Sequence, residues 1–363
     1  MSRTEDQIST MQTVIVYVNY VLAVGVLTLP RTISEAAKTP DGWISILVGG
    51  AASLAAGLII TRLGRKFPGQ TIYQYAAVLL GRPLGYILGT VIALFFIGIA
   101  AFELRTLQEV VQFFLLEGTP VWAINFSFLW IALYLCLGGM SGIARLCQFI
   151  VVFTWSIFLL VCLLTLEVFD LNNLRPVLGE GLLPVLKAVK PTALTFTAGE
   201  IMLFLTPFML RPRNASKAVA FGVGISGIFY LVAYFVTVGA FSVNGVLTRT
   251  WPFLDAIRSF EVEYLLFERF ESLLLAIWCM QIFCTFCISF YAAAYGAAQM
   301  SGTRPQRWLY GLLPLVFLTA SLPRSLNHVF GLGDVLGNTM IYLFGLLPVI
   351  LLLVARIRKV KTS

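Results

Sequence analysis

Long apolar stretches separated by short polar segments dominate the pattern of hydrophobic and polar positions along this chain. A helix needs about 20 apolar residues to cross the hydrocarbon core of a bilayer, and ten stretches lie close to or above that length. The pattern therefore predicts an all-α polytopic membrane protein with ten transmembrane helices. The predicted spans are 11–35, 42–61, 84–114, 120–138, 143–166, 185–209, 217–241, 271–299, 308–322 and 333–355.

The order of the spans predicts two repeats. Spans 1 to 5 occupy about 11–166 and spans 6 to 10 about 185–355, so each half has an odd number of spans. An odd number reverses the direction of the second half, as a 5+5 inverted repeat requires. We expect a single transmembrane domain over residues 1–363, because no polar connection is long enough for a soluble domain. The connection from Leu247 to Glu271 is expected to contain a short amphipathic helix on the outer face.

The composition agrees with a membrane protein and the charges predict its orientation. The chain is 59% hydrophobic and 12% charged, whereas soluble domains are about 45–50% apolar. Lys and Arg concentrate in cytoplasmic loops. The predicted spans place four basic clusters on one side: Arg62–Lys66, Arg211–Arg213, Arg304–Arg307 and Arg356–Lys361. Both termini are therefore predicted to be cytoplasmic, and the net charge of +8 indicates orientation rather than nucleic-acid binding. The segment before span 1 carries Glu5 and Asp6 and lacks the basic region of a cleaved signal peptide.

The first spans of the two halves both contain a central glycine followed by Thr and Pro. Gly25 precedes Thr28 and Pro30 in span 1, and Gly199 precedes Thr206-Pro207 in span 6. Gly25 alone is equally typical of a packing position. The pair of glycines at corresponding places predicts that helices 1 and 6 are broken and meet near the middle of the membrane.

Broken helices suit a zwitterionic ligand. A break exposes N–H groups at the start of one half-helix and C=O groups at the end of the other, so the two ends attract a carboxylate and an ammonium respectively. An amino acid has both groups. We expect the ligand carboxylate at Val24, Gly25 and Val26 and its ammonium near the carbonyls of Ala198 and Gly199, with Glu200 close by.

Carboxylates inside the spans are functional candidates. A charge at the bilayer centre costs about 2.5–3.5 kcal/mol on insertion scales, so it normally faces a polar cavity or partner. Glu200 is a candidate ligand contact, a candidate proton carrier, or a structural brace to a neighbouring span. Glu103 is a second candidate for a proton or gating role, whereas Arg105 and Glu109 have the i, i+4 spacing of an intrahelical ion pair. In span 8, Gln281, Thr285 and Ser289 form one polar stripe, which is either a packing seam or a ligand wall.

Enzymatic, metal and cofactor chemistry find no support in the sequence. Gly139-Met140-Ser141-Gly142 matches an intramembrane serine protease motif, but His328, the single histidine, is predicted on the opposite membrane side. The six cysteines all fall in or beside apolar spans and are interpreted as small buried packing residues. We expect no enzyme activity, no metal and no cofactor.

Motifs along nearly the whole chain resemble the spore germination permease family, the B subunits of Ger-type nutrient germinant receptors in the amino acid/polyamine/organocation transporter superfamily. They are Ile8-Ser9 with Gln12, Gly25–Pro30, Asp41–Ser45, Arg65–Thr71, Gly138-Gly139 with Ala144-Arg145, Arg175–Leu178, Gly199-Glu200, and Leu266–Glu271 leading to Trp278.

The resemblance implies a LeuT/APC-like fold of ten helices, a germinant pocket between spans 1, 3, 6 and 8, and partnership with an A subunit and a C lipoprotein subunit in the spore inner membrane. Carried over by position, the pocket residues are Val24, Gly25, Val26, Ala198, Gly199, Glu200 and, from span 8, Thr285.

Three functions share these features. The first is a nutrient receptor subunit that binds an amino acid or similar small nutrient and signals germination. The second is a proton-coupled amino acid permease, and the third is a ligand-gated ion or water channel. Span 5 offers Thr154, Ser156 and Thr165 but no Lys as an ion partner, so ion coupling stays undecided.

Overall fold

The computed structural model describes residues 6–114, 116, 118–165, 168–196, 198–258, 270–323 and 325–358. Within these ranges the chain is helical and has no β-strand; an isolated bridge joins Ile8 and Met209. The predicted motif at Leu266–Arg269 lies outside the described residues. The all-helical prediction is confirmed.

Fifteen α-helices follow one another along the described chain. They are α1 (Thr10–Leu22), α2 (Gly25–Ala37), α3 (Gly42–Gly64), α4 (Ile72–Leu80), α5 (Arg82–Phe114), α6 (Val121–Leu137), α7 (Gly139–Leu164), α8 (Leu183–Thr195), α9 (Met202–Leu205), α10 (Ala215–Leu247), α11 (Pro252–Arg258), α12 (Phe270–Ser301), α13 (Pro305–Ser321), α14 (Leu326–Met340) and α15 (Leu347–Ile357).

Six stretches of the described chain are long and apolar enough to cross a membrane, and the α1–α2 pair adds a seventh if its two helices form one span. The six are Gly42–Gly64, Arg82–Gln112, Gly139–Leu160, Pro212–Leu247, Trp278–Ser301 and Asn327–Ile357. The chain is therefore a multi-pass membrane protein, as predicted. The number of ten spans stays a prediction; the apolar helix Val121–Leu137, for example, is shorter than this length.

The two predicted interruptions are present as breaks in helical geometry. Helices α1 and α2 meet at a bend of 50°. Helix α8 ends at Thr195, Ala198 has the non-helical angles φ −157° and ψ 3°, and a 3-10 turn then begins at Gly199. Each break divides one predicted apolar span into two shorter helical segments.

Local sequence signals explain several helix ends. The Ser9 hydroxyl accepts a hydrogen bond from the Gln12 amide at 3.1 Å while the Gln12 side chain accepts from the Ser9 amide at 2.8 Å, so a capping box starts α1. Gly81, at φ +89°, ends α4. Helix α11 confirms that the connection from Leu247 to Glu271 contains a short helix. The sequence pattern did not predict α4, which is only 9 residues long.

Close helix packing around the breaks depends on small residues opposite aromatic rings. Helix α1 packs on α7, α10 and α12, and α2 packs on α8 and α10. A Cβ at Gly222 would come within 2.4 Å of the Tyr17 ring, and one at Gly296 within 2.2 Å of the Tyr73 ring. Lipid tails are as apolar as side chains, so membrane helices associate mainly through such tight packing.

The cysteines are free thiols, and four of them, Cys136, Cys147, Cys284 and Cys287, are buried among the helices. This agrees with their interpretation as small packing residues.

Candidate functional site

A cavity of about 520 Å³ lies beside the first break, between α1, α2, α5, α8, α12 and α14. Its volume falls within the range of about 300–1,000 Å³ typical of small-molecule sites. Its deeper wall includes Tyr20, Val24, Gly25, Phe102, Glu103, Thr195 and Thr285. Its lining also includes the charged residues Arg31, Glu35 and Asp334.

The two broken helices touch each other at the cavity wall. A Cβ on Gly25 would lie 2.2 Å from the Tyr230 hydroxyl oxygen and 2.8 Å from the Thr195 side chain. Gly25 and Thr195 both line the cavity. The absence of a side chain at Gly25 therefore permits the contact between the first break, the end of α8 and α10.

Side chains already satisfy the carbonyl groups that the breaks set free. The Tyr230 hydroxyl donates to the Val21 carbonyl at 2.6 Å and lies 3.2 Å from the Thr195 carbonyl. The Trp278 indole donates to the Ala23 carbonyl at 2.6 Å.

At the second break, the Ser53 hydroxyl donates to the Phe196 carbonyl at 2.9 Å. These interactions meet the hydrogen-bonding needs of the helix ends without a ligand. The Ala198 and Gly199 carbonyls, where the ligand ammonium was expected, accept hydrogen bonds from the Ile201 and Met202 amides. There is therefore less need for a ligand ammonium at either group of carbonyls.

The amino-terminal end of α2 has the opposite polarity to the carbonyl ends of the breaks. Helix α2 begins at Gly25, and the preceding residue, Val24, provides no side-chain cap. Both residues line the cavity. Because the amino-terminal end of a helix has a partial positive charge, this part of the wall favours an anionic group such as a carboxylate.

Glu103 brings a carboxyl group to the same cavity. Its side chain is 5% exposed, and its Oε2 atom has no hydrogen-bond partner in the described part of the chain. Two residues further along α5, the Arg105 guanidinium lies 2.6 Å from the Glu109 carboxylate, which confirms the predicted intrahelical pair. Arg105 is thus engaged by Glu109, and Glu103 remains available to a cationic ligand group.

Glu200 lies behind the wall of this cavity. It is 1% exposed, its Oε1 atom has no partner among the described residues, and it is outside the cavity lining. Its carboxyl group interacts with the hydroxyl of Tyr20, which does line the cavity. The Ser289 hydroxyl lies 3.5 Å from the same Tyr20 hydroxyl. Tyr20 therefore connects the cavity to a buried carboxyl group.

Of the remaining predicted site residues, one lines the cavity and the others pack around it. Thr285 lines the cavity, and its hydroxyl lies 3.2 Å from the Asn19 carbonyl. Val26 and Ala198 are buried outside the lining. Gly199 packs against α3, where a Cβ would lie 3.3 Å from the Gly57 Cα. The structure thus brings together Val24, Gly25, Glu103 and Thr285, while Val26, Ala198, Gly199 and Glu200 surround them.

Sequence reasoning missed the aromatic residues that complete the site. Tyr20, Tyr230 and Trp278 contact the breaks or the cavity from α1, α10 and α12. Aromatic residues are common within apolar spans, so their spacing alone did not identify these three as site residues. Trp278 appeared only as the end of a family motif.

The other end of α1 is held by a short amino-terminal strap, Asp6 to Ser9. The Ile8 amide donates to the Phe208 carbonyl at 2.8 Å, and the Leu210 amide donates to the Ile8 carbonyl at 2.9 Å. The Asp6 carboxylate accepts from the Ser141 amide at 2.8 Å and from the Tyr291 hydroxyl at 3.2 Å. Burial raises the pKa of Asp6, although these hydrogen bonds act in the opposite direction.

Comparison with known proteins gives a consistent result. A family model described as "Spore germination protein" matches residues 7–329. Spore germination protein YndE of Bacillus subtilis is 48% identical over 354 residues, with 98% of each chain covered. Spore germination protein A2 of Bacillus subtilis is 35% identical, again with 98% of each chain covered. Spore germination protein B2 of the same organism is 34% identical over 93% of this chain and 92% of its own.

Two solved transporter structures share the fold at low sequence identity. One is Mhp1, a nucleobase-cation-symport-1 family transporter in a closed conformation with bromovinylhydantoin bound, with a TM-score of 0.68 and 14% identity over 96% of this chain and 78% of that one. The other is a Na⁺-coupled sialic acid symporter in a substrate-bound outward-open state, with a TM-score of 0.67 and 13% identity over 95% and 79% of the two chains.

Proposed function

Because the chain belongs to the spore permease family of spore germination proteins, we propose that it is the membrane subunit of a nutrient germinant receptor. In this proposal it binds an amino acid or similar small nutrient in the cavity beside Gly25 and signals germination. It acts in the spore inner membrane with an A subunit and a C lipoprotein subunit. Its fold has ten transmembrane helices in a 5+5 inverted repeat, with both termini in the cytoplasm.

The shared fold supports a binding role at the breaks. Both solved neighbours are described as transporters with a small molecule bound. The described cavity lies beside the bend between α1 and α2 and has room for a small zwitterion. A cavity at a broken helix pair is the usual ligand position in transporters built from inverted repeats.

Two groups of opposite polarity support an amino acid as the ligand. The N–H groups at the start of α2 would bind its carboxylate, and Glu103 would bind its ammonium. The single observation that carries this proposal is the buried, unpartnered Oε2 atom of Glu103 in the cavity wall. Since Tyr230, Trp278 and Ser53 already satisfy carbonyls at the breaks, Glu103 offers the ammonium a better partner.

Glu200 takes a different part in this proposal. A ligand that contacts Tyr20 would alter the interaction between the Tyr20 hydroxyl and the Glu200 carboxyl group. Glu200 follows directly after the second break, so this interaction links the cavity to the 3-10 turn Gly199–Ile201. The turn packs on α3, which provides a route from ligand binding to a change in helix packing.

A binding experiment tests the proposal. Purified protein in detergent is titrated with the amino acids that raise its unfolding temperature, and the dissociation constants are compared between wild type, Glu103→Gln and Glu180→Gln. Breaking a buried charge pair costs about 2–5 kcal/mol, so Glu103→Gln should weaken binding by about 30-fold or more. Glu180→Gln changes an exposed carboxylate outside the cavity and should bind within about threefold of wild type. Equal affinities for wild type and Glu103→Gln would contradict the proposal.

A proton-coupled amino acid permease is the second candidate, and the buried Glu200 carboxyl group favours it. Radiolabelled amino acid uptake into proteoliposomes separates the two functions. A pure receptor subunit binds the amino acid without concentrating it, whereas sustained concentrative uptake that Glu200→Gln abolishes would support the permease.

A further inference from the structure

A second, strongly basic cavity lies away from the candidate ligand site. It has a volume of about 980 Å³ and is formed by the end of α3, the turn before α10 and the end of α15. Five basic side chains line it: Arg62, Arg65, Lys66, Arg213 and Arg356. No Asp or Glu is among its lining residues. The segments that carry these five charges are distant in sequence, so the fold has brought them together.

The charges of this basic cavity have no counterion within the described part of the chain. The ion pairs found there involve Arg31, Arg105 and Arg249, none of which belongs to the cavity. Arg62 and Arg356 lie in the last turns of α3 and α15, where the helix dipoles favour a cation. That effect does not account for the convergence of three further cations. A bound anion would reduce their mutual repulsion.

The opposite wall of the basic cavity is apolar and faces outward. Val349, Leu352 and Leu353 of α15 form it, and Val349 and Leu353 are 39% and 53% exposed. The α14–α15 stretch Asn327–Ile357 is an apolar candidate membrane span, and only 28% of its 18-residue apolar window is buried inside the protein. This wall therefore faces the acyl chains of the bilayer.

These observations together point to one class of occupant. A free phosphate or an acidic protein segment would use the basic side chains but would gain little from an outward apolar wall. An anionic phospholipid uses both, because its phosphate binds Arg side chains while its acyl chains lie along apolar helices. We propose that the basic cavity binds the headgroup of an anionic phospholipid, with the acyl chains packed along α15.

A lipid in the basic cavity would connect separate segments of the fold. Arg213 follows the 3-10 turn Thr206–Phe208 that ends the second broken region, and α15 contacts α3 directly. The headgroup would join α3, the segment after the second break and α15. A lipid bound here stabilises the protein whether or not an amino acid occupies the first cavity, so the inference does not depend on the proposed receptor function.

Lipid titration of the full chain tests the inference. The protein in neutral detergent micelles is titrated with dioleoylphosphatidylglycerol and, separately, with dioleoylphosphatidylcholine, and binding is followed by unfolding temperature and native mass spectrometry. The variant R62Q/R213Q/R356Q removes three cavity charges. The control R145Q/R304Q/R307Q removes three exposed basic side chains outside the cavity. Each basic residue near an anionic headgroup contributes about fivefold in affinity, so the cavity variant should bind phosphatidylglycerol about 100-fold more weakly.

Several results would overturn the inference. They are unchanged phosphatidylglycerol binding by the cavity variant, an equal loss in the control, equal binding of phosphatidylcholine, and equal protection by inorganic phosphate. Stabilisation by a co-purified acidic protein instead of lipid would also overturn it. If the triple Gln variant fails to insert, Arg213→Gln alone should still weaken binding about fivefold, and R62K/R213K/R356K, which keeps the charge, should bind within about tenfold of wild type.

Discussion

Replacement of Gly25 by Ala tests the contact between the two breaks. The new Cβ would lie 2.2 Å from the Tyr230 hydroxyl oxygen, whereas ordinary van der Waals contact begins near 3.4 Å. Tyr230 would have to move by about 1 Å, and its 2.6 Å hydrogen bond to the Val21 carbonyl would be lost. Overpacking costs about 1–3 kcal/mol and the lost hydrogen bond about 0.5–1.5 kcal/mol. We expect Gly25→Ala to lower the free energy of unfolding by about 2–4 kcal/mol.

A matched glycine and a double-mutant cycle make this prediction specific. Gly227 lies one turn before Tyr230 on α10, and a Cβ there would meet the Phe196 ring at 3.7 Å, an ordinary contact. Gly227→Ala should therefore leave thermal unfolding in detergent nearly unchanged. Tyr230→Phe removes the clashing oxygen, so the double variant Gly25→Ala/Tyr230→Phe should be more stable than the two single losses predict. Equal stability of Gly25→Ala and Gly227→Ala, or simple addition of the two single losses, would show that Gly25 and Tyr230 do not make this close contact.

Two further changes test the ends of α1. Trp278→Phe removes the indole donor of the Ala23 carbonyl, so we expect a stability loss of about 1–3 kcal/mol in thermal unfolding. Trp308→Phe removes a half-buried indole whose hydrogen bonds to Ser301 and Thr303 are exposed to solvent, so it should cost less, and equal losses would contradict the prediction. Because burial raises the pKa of Asp6 above 3.8, the folded state binds a proton more tightly than the unfolded state. Its contribution to stability is complete at acidic pH and is lost as pH rises through the raised pKa. Asp6→Asn should remove that part of the pH dependence, and unfolding curves with the same pH slope for both proteins would disprove it.

The hydrophobic pattern of the sequence predicted the membrane-embedded helices and the two places where helices are interrupted. Hydrophobic runs are long compared with local irregularities, so they identify the membrane-embedded segments well. Glycine with downstream Thr and Pro marked both interruptions, because these residues weaken a helix locally. The lengths of the apolar runs could not show that residues 185–209 form two helices, α8 and α9, separated by a 3-10 turn, instead of one continuous helix. They also gave no sign of α4, whose 9 residues follow a polar loop.

The candidate site was only partly accessible from the sequence for geometric reasons. The i, i+4 spacing of Arg105 and Glu109 predicted their pair, which left Glu103 as the unpaired carboxylate of α5. The rotation of α5 relative to α2, which places Glu103 in the cavity wall, is set by packing and not by spacing. Glu200 is the most conspicuous charge in the sequence, yet Tyr20 stands between it and the cavity.

We propose above all that Glu103 binds the ammonium group of an amino acid whose carboxylate lies at the start of α2. The most direct test measures dissociation constants for the tightest-binding amino acid and for its deamino analogue, each with wild type and Glu103→Gln. We predict that loss of the amine weakens binding to wild type by about 30-fold or more but has little further effect in Glu103→Gln, since the same interaction is absent in both. If loss of the amine weakens binding equally in both proteins, Glu103 does not contact the ammonium and the claim is contradicted.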